Sequence, residues 1–154
     1  MSLFSRREPP CIEPGVWRVR GAHARVLVEV PDGAELAAHA AALRDAGYDV
    51  AVCTGPSIEE SEMGSERRTC PLVAGERCRL VDGADVVVSS VSLVDARDIL
   101  GVHASSGRTL VVEGASHALE RDRELLGDAR LVPEPVTAER LLAAVEQAYA
   151  SRRS

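Results

Sequence analysis

Two groups of residues in this chain have side chains able to do chemistry. The first is Ser89-Ser90, two hydroxyls that end the apolar run Ala84-Asp85-Val86-Val87-Val88. The second is a set of thiols: Cys53, then Cys70 and Cys78 with seven residues between them in one polar stretch, and Cys11 far upstream. A β-branched run that follows a turn signal, here Asp82-Gly83, reads as a strand buried on both faces. Ligands of open parallel sheets sit beyond the carboxyl ends of such strands, so Ser89 and Ser90 stand where chemistry would be done. No acid accompanies them, and a serine hydroxyl is a weak nucleophile without a base or a metal.

The thiols leave three readings open. Cys53, Cys70 and Cys78 would make a zinc site if His103, His117 or Cys11 supplied a fourth ligand, although the short C-x-x-C clamp is missing. Cys70 with Cys78, or with Cys53, would make a redox pair if the loop is mobile and exposed. Otherwise the three are small buried hydrophobes. His23, His39, His103 and His117 show no companion acid at a telling spacing, and His39, among alanines, reads as a surface or packing residue. No nucleophile elbow, phosphate-cradling glycine loop or pair of catalytic carboxylates follows a predicted strand, which leaves catalysis without a motif.

The elements that must position these residues come from composition and periodicity. A chain of 154 residues, 45% apolar and 27% charged, suits one globular domain that needs no cofactor or disulfide to fold. Aromatics at 3% leave Ala, Val and Leu to build the core. A net charge of -6 speaks against a nucleic-acid partner. No segment approaches the ~20 apolar residues of a membrane span, so a cytoplasmic location with reduced thiols is expected.

Residues 1–23 carry Pro9-Pro10 and Glu13-Pro14-Gly15 and read as an irregular arm, with Trp17 packed on its own domain. Val26–Val30 reads as a strand, and Asp32 with Glu35 caps a helix over Ala34–Ala46 that Gly47 stops. Tyr48–Cys53 is the next strand. From Thr54 to Leu80 the pattern fails; the charged run Glu59 to Arg68 reads as a solvated loop in place of a regular second helix. After the central strand, Ser92 caps a short helix through Leu93, Ala96 and Leu100 that Gly101 ends. Thr109–Glu113 and Ala129–Val132 are strands separated by a helix capped by Ser116, and a final helix begins near Thr137 with the stripe Leu141, Leu142, Val145, Ala148 and Tyr149. Strands alternating with helices predict an α/β fold, a doubly wound five-stranded parallel sheet over residues 24–150, with 151–154 as a tail.

Within that pattern, Arg25-Val26-Leu27-Val28-Glu29-Val30-Pro31-Asp32-Gly33-Ala34-Glu35-Leu36 resembles the first strand and helix start of the receiver domain of bacterial two-component response regulators. Leu43-Arg44-Asp45-Ala46-Gly47-Tyr48-Asp49-Val50 is similar to its helix-to-second-strand junction. Val132-Pro133-Glu134-Pro135-Val136-Thr137-Ala138-Glu139-Arg140-Leu141 is similar to its last strand, proline turn and final helix. The resemblance implies the flavodoxin-like strand order 2-1-3-4-5. It also implies a phosphorylation site: an acid pair that holds Mg²⁺, an acceptor Asp ending the third strand, a hydroxyl after the fourth, and a Lys before the last proline.

Here those positions fall on Asp32, with Glu29 a less certain second acid, then on Ser90 (or Ser89), Glu113-Gly114 and Glu134. A serine in place of the acceptor and a glutamate in place of the lysine remove the switch chemistry. The expectation is a non-catalytic pseudo-receiver. It would dock a protein partner through the surface of the fourth and fifth strands and their helices, or form a homodimer through the C-terminal helix, with Cys53, Cys70 and Cys78 as redox-responsive groups. Two other classes remain: a small flavodoxin-like enzyme or ligand carrier whose crevice is lined by Ser89, Ser90, Asp32 and Glu113, and a zinc-bearing structural module.

Overall fold

Five short β-branched runs, each with apolar side chains on both sides, must lie between two layers of helices to escape water. The computed structural model describes residues 17, 21–56 and 70–153 and shows that arrangement. Strands β1 (Arg25–Glu29), β2 (Asp49–Cys53), β3 (Val86–Ser90), β4 (Leu110–Gly114) and β5 (Arg130–Pro133) form one parallel sheet in the order β2-β1-β3-β4-β5. The helices are α1 (Gly33–Asp45), α2 (Arg79–Gly83), α3 (Ala96–Ser105), α4 (Ser116–Arg121), α5 (Arg123–Leu126) and α6 (Ala138–Arg153). The expected fold class and strand order are those observed.

Strand side chains alternate between the two faces. Val26, Val28, Val86, Val88, Val111 and Val132 form one core with Leu36, Ala40 and Leu43 of α1 and Leu141, Val145 and Ala148 of α6. Leu27, Val87, Leu110 and Val112 form the other with Leu80 and Val81 of α2, Ile99 and Leu100 of α3, Leu119 of α4 and Leu126 of α5. Asp32 caps α1 as expected, its Oδ1 accepting from the Glu35 N–H at 2.9 Å. Trp17 packs on this domain: its Nε1 donates to the Leu80 carbonyl at 3.2 Å, and the Arg25 guanidinium lies 5.4 Å from its ring centroid.

Several local expectations are corrected. The helix after β3 begins at Ala96 with Asp95 at its cap position rather than Ser92, whose hydroxyl is engaged by Ser90 at 2.7 Å. It also runs through Gly101 instead of stopping there. A Cβ at Gly101 would lie 3.4 Å from Leu125 Cδ1, so the glycine serves close packing against α5. The helix after β4 is two short ones, with Ala115 rather than Ser116 at the first cap, and it breaks at Asp122. That buried carboxylate accepts from Arg97 and from Arg121, and the Arg121 hydrogen bond holds it below the usual carboxylate range. Residues 151–153, expected as tail, continue α6, where Arg152 pairs with Asp85 at the foot of β3. In place of a regular second helix, α2 supplies five residues. Most of the N-terminal arm, Cys11 and the Glu59–Arg68 run lie outside the described residues.

Gly114 ends β4 against Val91: a Cβ there would stand 2.2 Å from Val91 Cγ2. Gly114→Ala is expected to destabilise by about 1–3 kcal/mol in urea unfolding, as overpacking does, and Val91→Ala in the same chain should recover part of the loss. A neutral Gly114→Ala would contradict this packing.

Candidate functional site at the carboxyl end of the sheet

Two strands of this sheet carry a buried acid at or next to their carboxyl ends, and each acid meets a histidine from a different helix layer. Register fixes the geometry: Ser89 pairs with Val112 and Ser90 with Glu113. Alternation then puts Ser90 and Glu113 on the α1 and α6 side, and Glu29 and Ser89 on the α3 side.

On the first side, His39 of α1 is buried and its Nε2 lies 2.6 Å from Glu113 Oε2. Glu35, one turn earlier on α1, brings its Oε1 to 3.5 Å from the same nitrogen. The three donor atoms lie within 4.8 Å of one another. Two carboxyl groups this close cannot both ionise freely. A hydrogen bond with Glu113, then burial, then repulsion from Glu113 push the Glu35 carboxyl up to about 7. His39 is held above its ordinary value, chiefly by its hydrogen bond to Glu113, with burial opposing.

On the second side, His103 of α3 is fully buried, its Nε2 3.0 Å from Glu29 Oε2, and the Ser89 hydroxyl donates to the same oxygen at 3.1 Å. His103 Nδ1 is buried without a hydrogen-bond partner. Glu29 thus joins β1 to β3 and α3.

The expected histidine assignments are therefore corrected. His39 is neither exposed nor an apolar filler, and both His39 and His103 have companion acids. One signal was present in the sequence, the Glu35–His39 spacing of one helical turn; the Glu29 and Glu113 partners are brought in from other strands. Of the residues placed at degenerate phosphorylation positions, Asp32 is the helix cap and Ser90 accepts from the Ser92 N–H at 3.1 Å. Ser89 and Glu113 belong to the two clusters above, and Glu134 is exposed after β5. Cys53, Cys70 and Cys78 are all buried in the α2 and α3 core, so the exposed location that favoured a redox pair is not found. The Cys53 Sγ accepts from the Gly55 N–H at 3.3 Å.

No protein-family model matches the sequence, and no curated protein matches it. Solved structures do. A CheY-like receiver domain protein from Methanospirillum hungatei superposes with a TM-score of 0.60 at 15% identity, over 86% of this chain and 98% of the other. A receiver domain protein from Clostridium thermocellum gives 0.62 at 17% identity, over 84% and 97%. The fold is that of a response-regulator receiver domain. NtrX from Brucella abortus also contains it: the match, with a TM-score of 0.63 at 15% identity, covers 85% of this chain and 28% of that larger protein. At such identities the likeness concerns the receiver fold, and the side chains at its carboxyl edge must be read from this chain alone.

Two predictions follow from the clusters. Between the ordinary Glu35 value of 4.5 and about 7, the unfolded chain has released a proton that the folded chain retains, so stability falls as pH rises through that interval. The His39 contribution is complete below 6.5 and is lost as pH rises through its raised folded value. Urea midpoints in metal-free buffer should therefore decline with pH, and Glu35→Gln should flatten the part between 4.5 and about 7; an unchanged slope would contradict the coupling. On the other face, Glu29→Ala strands His103 and Ser89 in the core and is expected to cost about 3 kcal/mol. The double replacement Glu29→Leu with His103→Leu should cost less than the single one, because no buried polar atom of the pair is left over.

Proposed function

We propose that this chain is a regulatory pseudo-receiver: it keeps the receiver fold, has lost aspartyl phosphorylation, and acts through contact with a protein partner. The observation that carries this reading is the state of the carboxyl edge. Where the receiver resemblance calls for an acceptor carboxylate, Ser89 and Ser90 are buried, with their hydroxyls committed to Glu29 and Ser92. Where it calls for a phosphate-binding hydroxyl, Glu113 is committed to His39. Where it calls for a lysine, Glu134 stands, and the chain contains no lysine at all. A phosphoryl group placed there would meet carboxylates instead of a cation.

One cavity among the described residues lies away from the edge where a small-molecule enzyme of this fold would bind its ligand. It has a volume of about 360 Å³ and is lined by Thr109, Leu110, Arg130 and Arg152, at the amino ends of β4 and β5. That is the edge opposite the one where ligands of parallel sheets bind. For a partner surface, α6 offers less than its sequence stripe promised: Leu141, Val145 and Ala148 are spent on the domain's own core, and Leu142, Ala144 and Tyr149 remain half-buried. A homodimer through α6 would have to close over those three.

The test is intact-protein mass after incubation with acetyl phosphate and Mg²⁺, read beside a light-scattering mass before and after. No phosphoryl adduct and no change of association state are expected. A stoichiometric, acid-labile or acid-stable phosphoryl adduct on any residue of the β3 end would overturn the reading.

A further inference from the structure

Glu35, His39 and Glu113 raise a question that the pseudo-receiver reading leaves open, namely why two carboxylates converge on one imidazole at a half-open edge. Structural burial explains Glu113 and His39, whose side chains are 3% and 7% exposed. Burial does not hold Glu35, whose side chain is 40% exposed; it leans back towards the same Nε2 atom and hydrogen-bonds Glu113, which adds a second carboxylate to the imidazole. Asp32, at the cap of the same helix, adds to the negative field on Glu35. The cluster is rich in donor atoms of negative charge and open to solvent on one side.

We propose that Glu35, His39 and Glu113 bind one divalent transition-metal ion of the Zn²⁺, Co²⁺ or Mn²⁺ class, bridging α1 to β4. The donor set suits that class: one imidazole nitrogen and two carboxylate oxygens are borderline-to-hard ligands, and an imidazole disfavours Mg²⁺. The spacing suits it as well. Two ligands one helical turn apart on a single face are the arrangement by which helices offer paired metal donors. With metal–ligand distances of ~2.1 Å, tetrahedral donors stand roughly 3.4 Å apart. The Glu35 oxygen is already 3.5 Å from Nε2. The Glu113 oxygen, at 2.6 Å, would have to withdraw by less than an ångström, the distance that separates a hydrogen bond from a shared ligand sphere. Nε2 supplies the lone pair while Nδ1 keeps the ring proton. Three protein ligands leave at least one position for water, as in exchangeable rather than closed sites.

The donor set of this site differs from the one the receiver resemblance implies for Mg²⁺: the implied acids fall on Asp32, whose Oδ1 caps the helix, and on Glu29, which accepts from Ser89, and neither belongs to this cluster. The site is separate from the cysteines, which belong to the core on the other face of the sheet.

The probe is Co²⁺ added to the full-length, chelator-treated chain, followed by visible absorption and by calorimetric titration, with Zn²⁺ and Mg²⁺ as competitors. Wild type should bind one equivalent with d–d bands and no thiolate-to-cobalt charge-transfer band; Zn²⁺ should displace it and equimolar Mg²⁺ should not. The thermal midpoint should rise with metal concentration, as it does for any ligand that binds only the folded state. Glu35→Ala removes a half-exposed side chain and should fold normally, so it carries the decisive comparison. Losing one of three ligands should weaken binding by more than roughly tenfold, since even outer-shell partners cost that much. His39→Gln should abolish binding. The proposal is overturned if wild type binds no Co²⁺ up to millimolar concentration, if Glu35→Ala binds with unchanged affinity, or if the spectrum shows thiolate ligation.

Discussion

An acid at the end of a buried parallel strand has no water to turn to, and the architecture of this protein follows from meeting that demand twice. Glu113 stands next to last in β4 on one face of the sheet and Glu29 ends β1 on the other. Each carboxylate is met by a histidine from a helix that covers its face, His39 from α1 and His103 from α3. Leaving either acid alone would cost several kcal/mol. The helices must therefore sit at a depth and rotation that deliver an imidazole, as well as cover apolar surface. Ser89 adds its hydroxyl to Glu29, which ties the central strand into the same arrangement.

The two clusters divide the labour. Glu29, His103 and Ser89 are sealed, with a helix layer between them and solvent, and their work is to fix α3 against β1 and β3. Glu113 and His39 have a third member, Glu35, that reaches water and whose carboxyl is pushed up to about 7. At the opposite end of the sheet a second set of charges holds the chain together: Arg152 of α6 reaches Asp85 at the start of β3, and the same carboxylate accepts from the Arg25 backbone N–H at 2.9 Å. The sheet is thus pinned by polar contacts at both edges, with apolar layers between.

Functional inference rests on what these contacts exclude. The receiver resemblance implies an acid that takes a phosphoryl group, a hydroxyl that binds it and a cation that neutralises it. Here the corresponding groups are serines already hydrogen-bonded, a glutamate already paired and an exposed glutamate. The commitment of these positions to internal contacts is what the pseudo-receiver proposal rests on, and among the described residues a half-open polar cluster lies on α1 and β4.

Much of the fold was legible in the sequence because its signals are local. The valine runs of β1, β3 and β4, the Asp32 cap and the stripe Leu141, Val145 and Ala148 each declare a period and a buried face without reference to distant residues. Helix ends were less legible where tertiary contacts outbid local preference: Ser92 was drawn to Ser90, Gly101 gave close approach to Leu125, and Asp122 broke a helix to receive Arg97 and Arg121. The site was the least legible part. Sequence determined that α1 carries Glu35 and His39 one turn apart and that β1 and β4 carry acids at or next to their carboxyl ends. Only the parallel register and the packing of α1 and α3 on opposite faces decided which acid meets which histidine, because the partners are 74 residues apart in both pairs and share no local pattern.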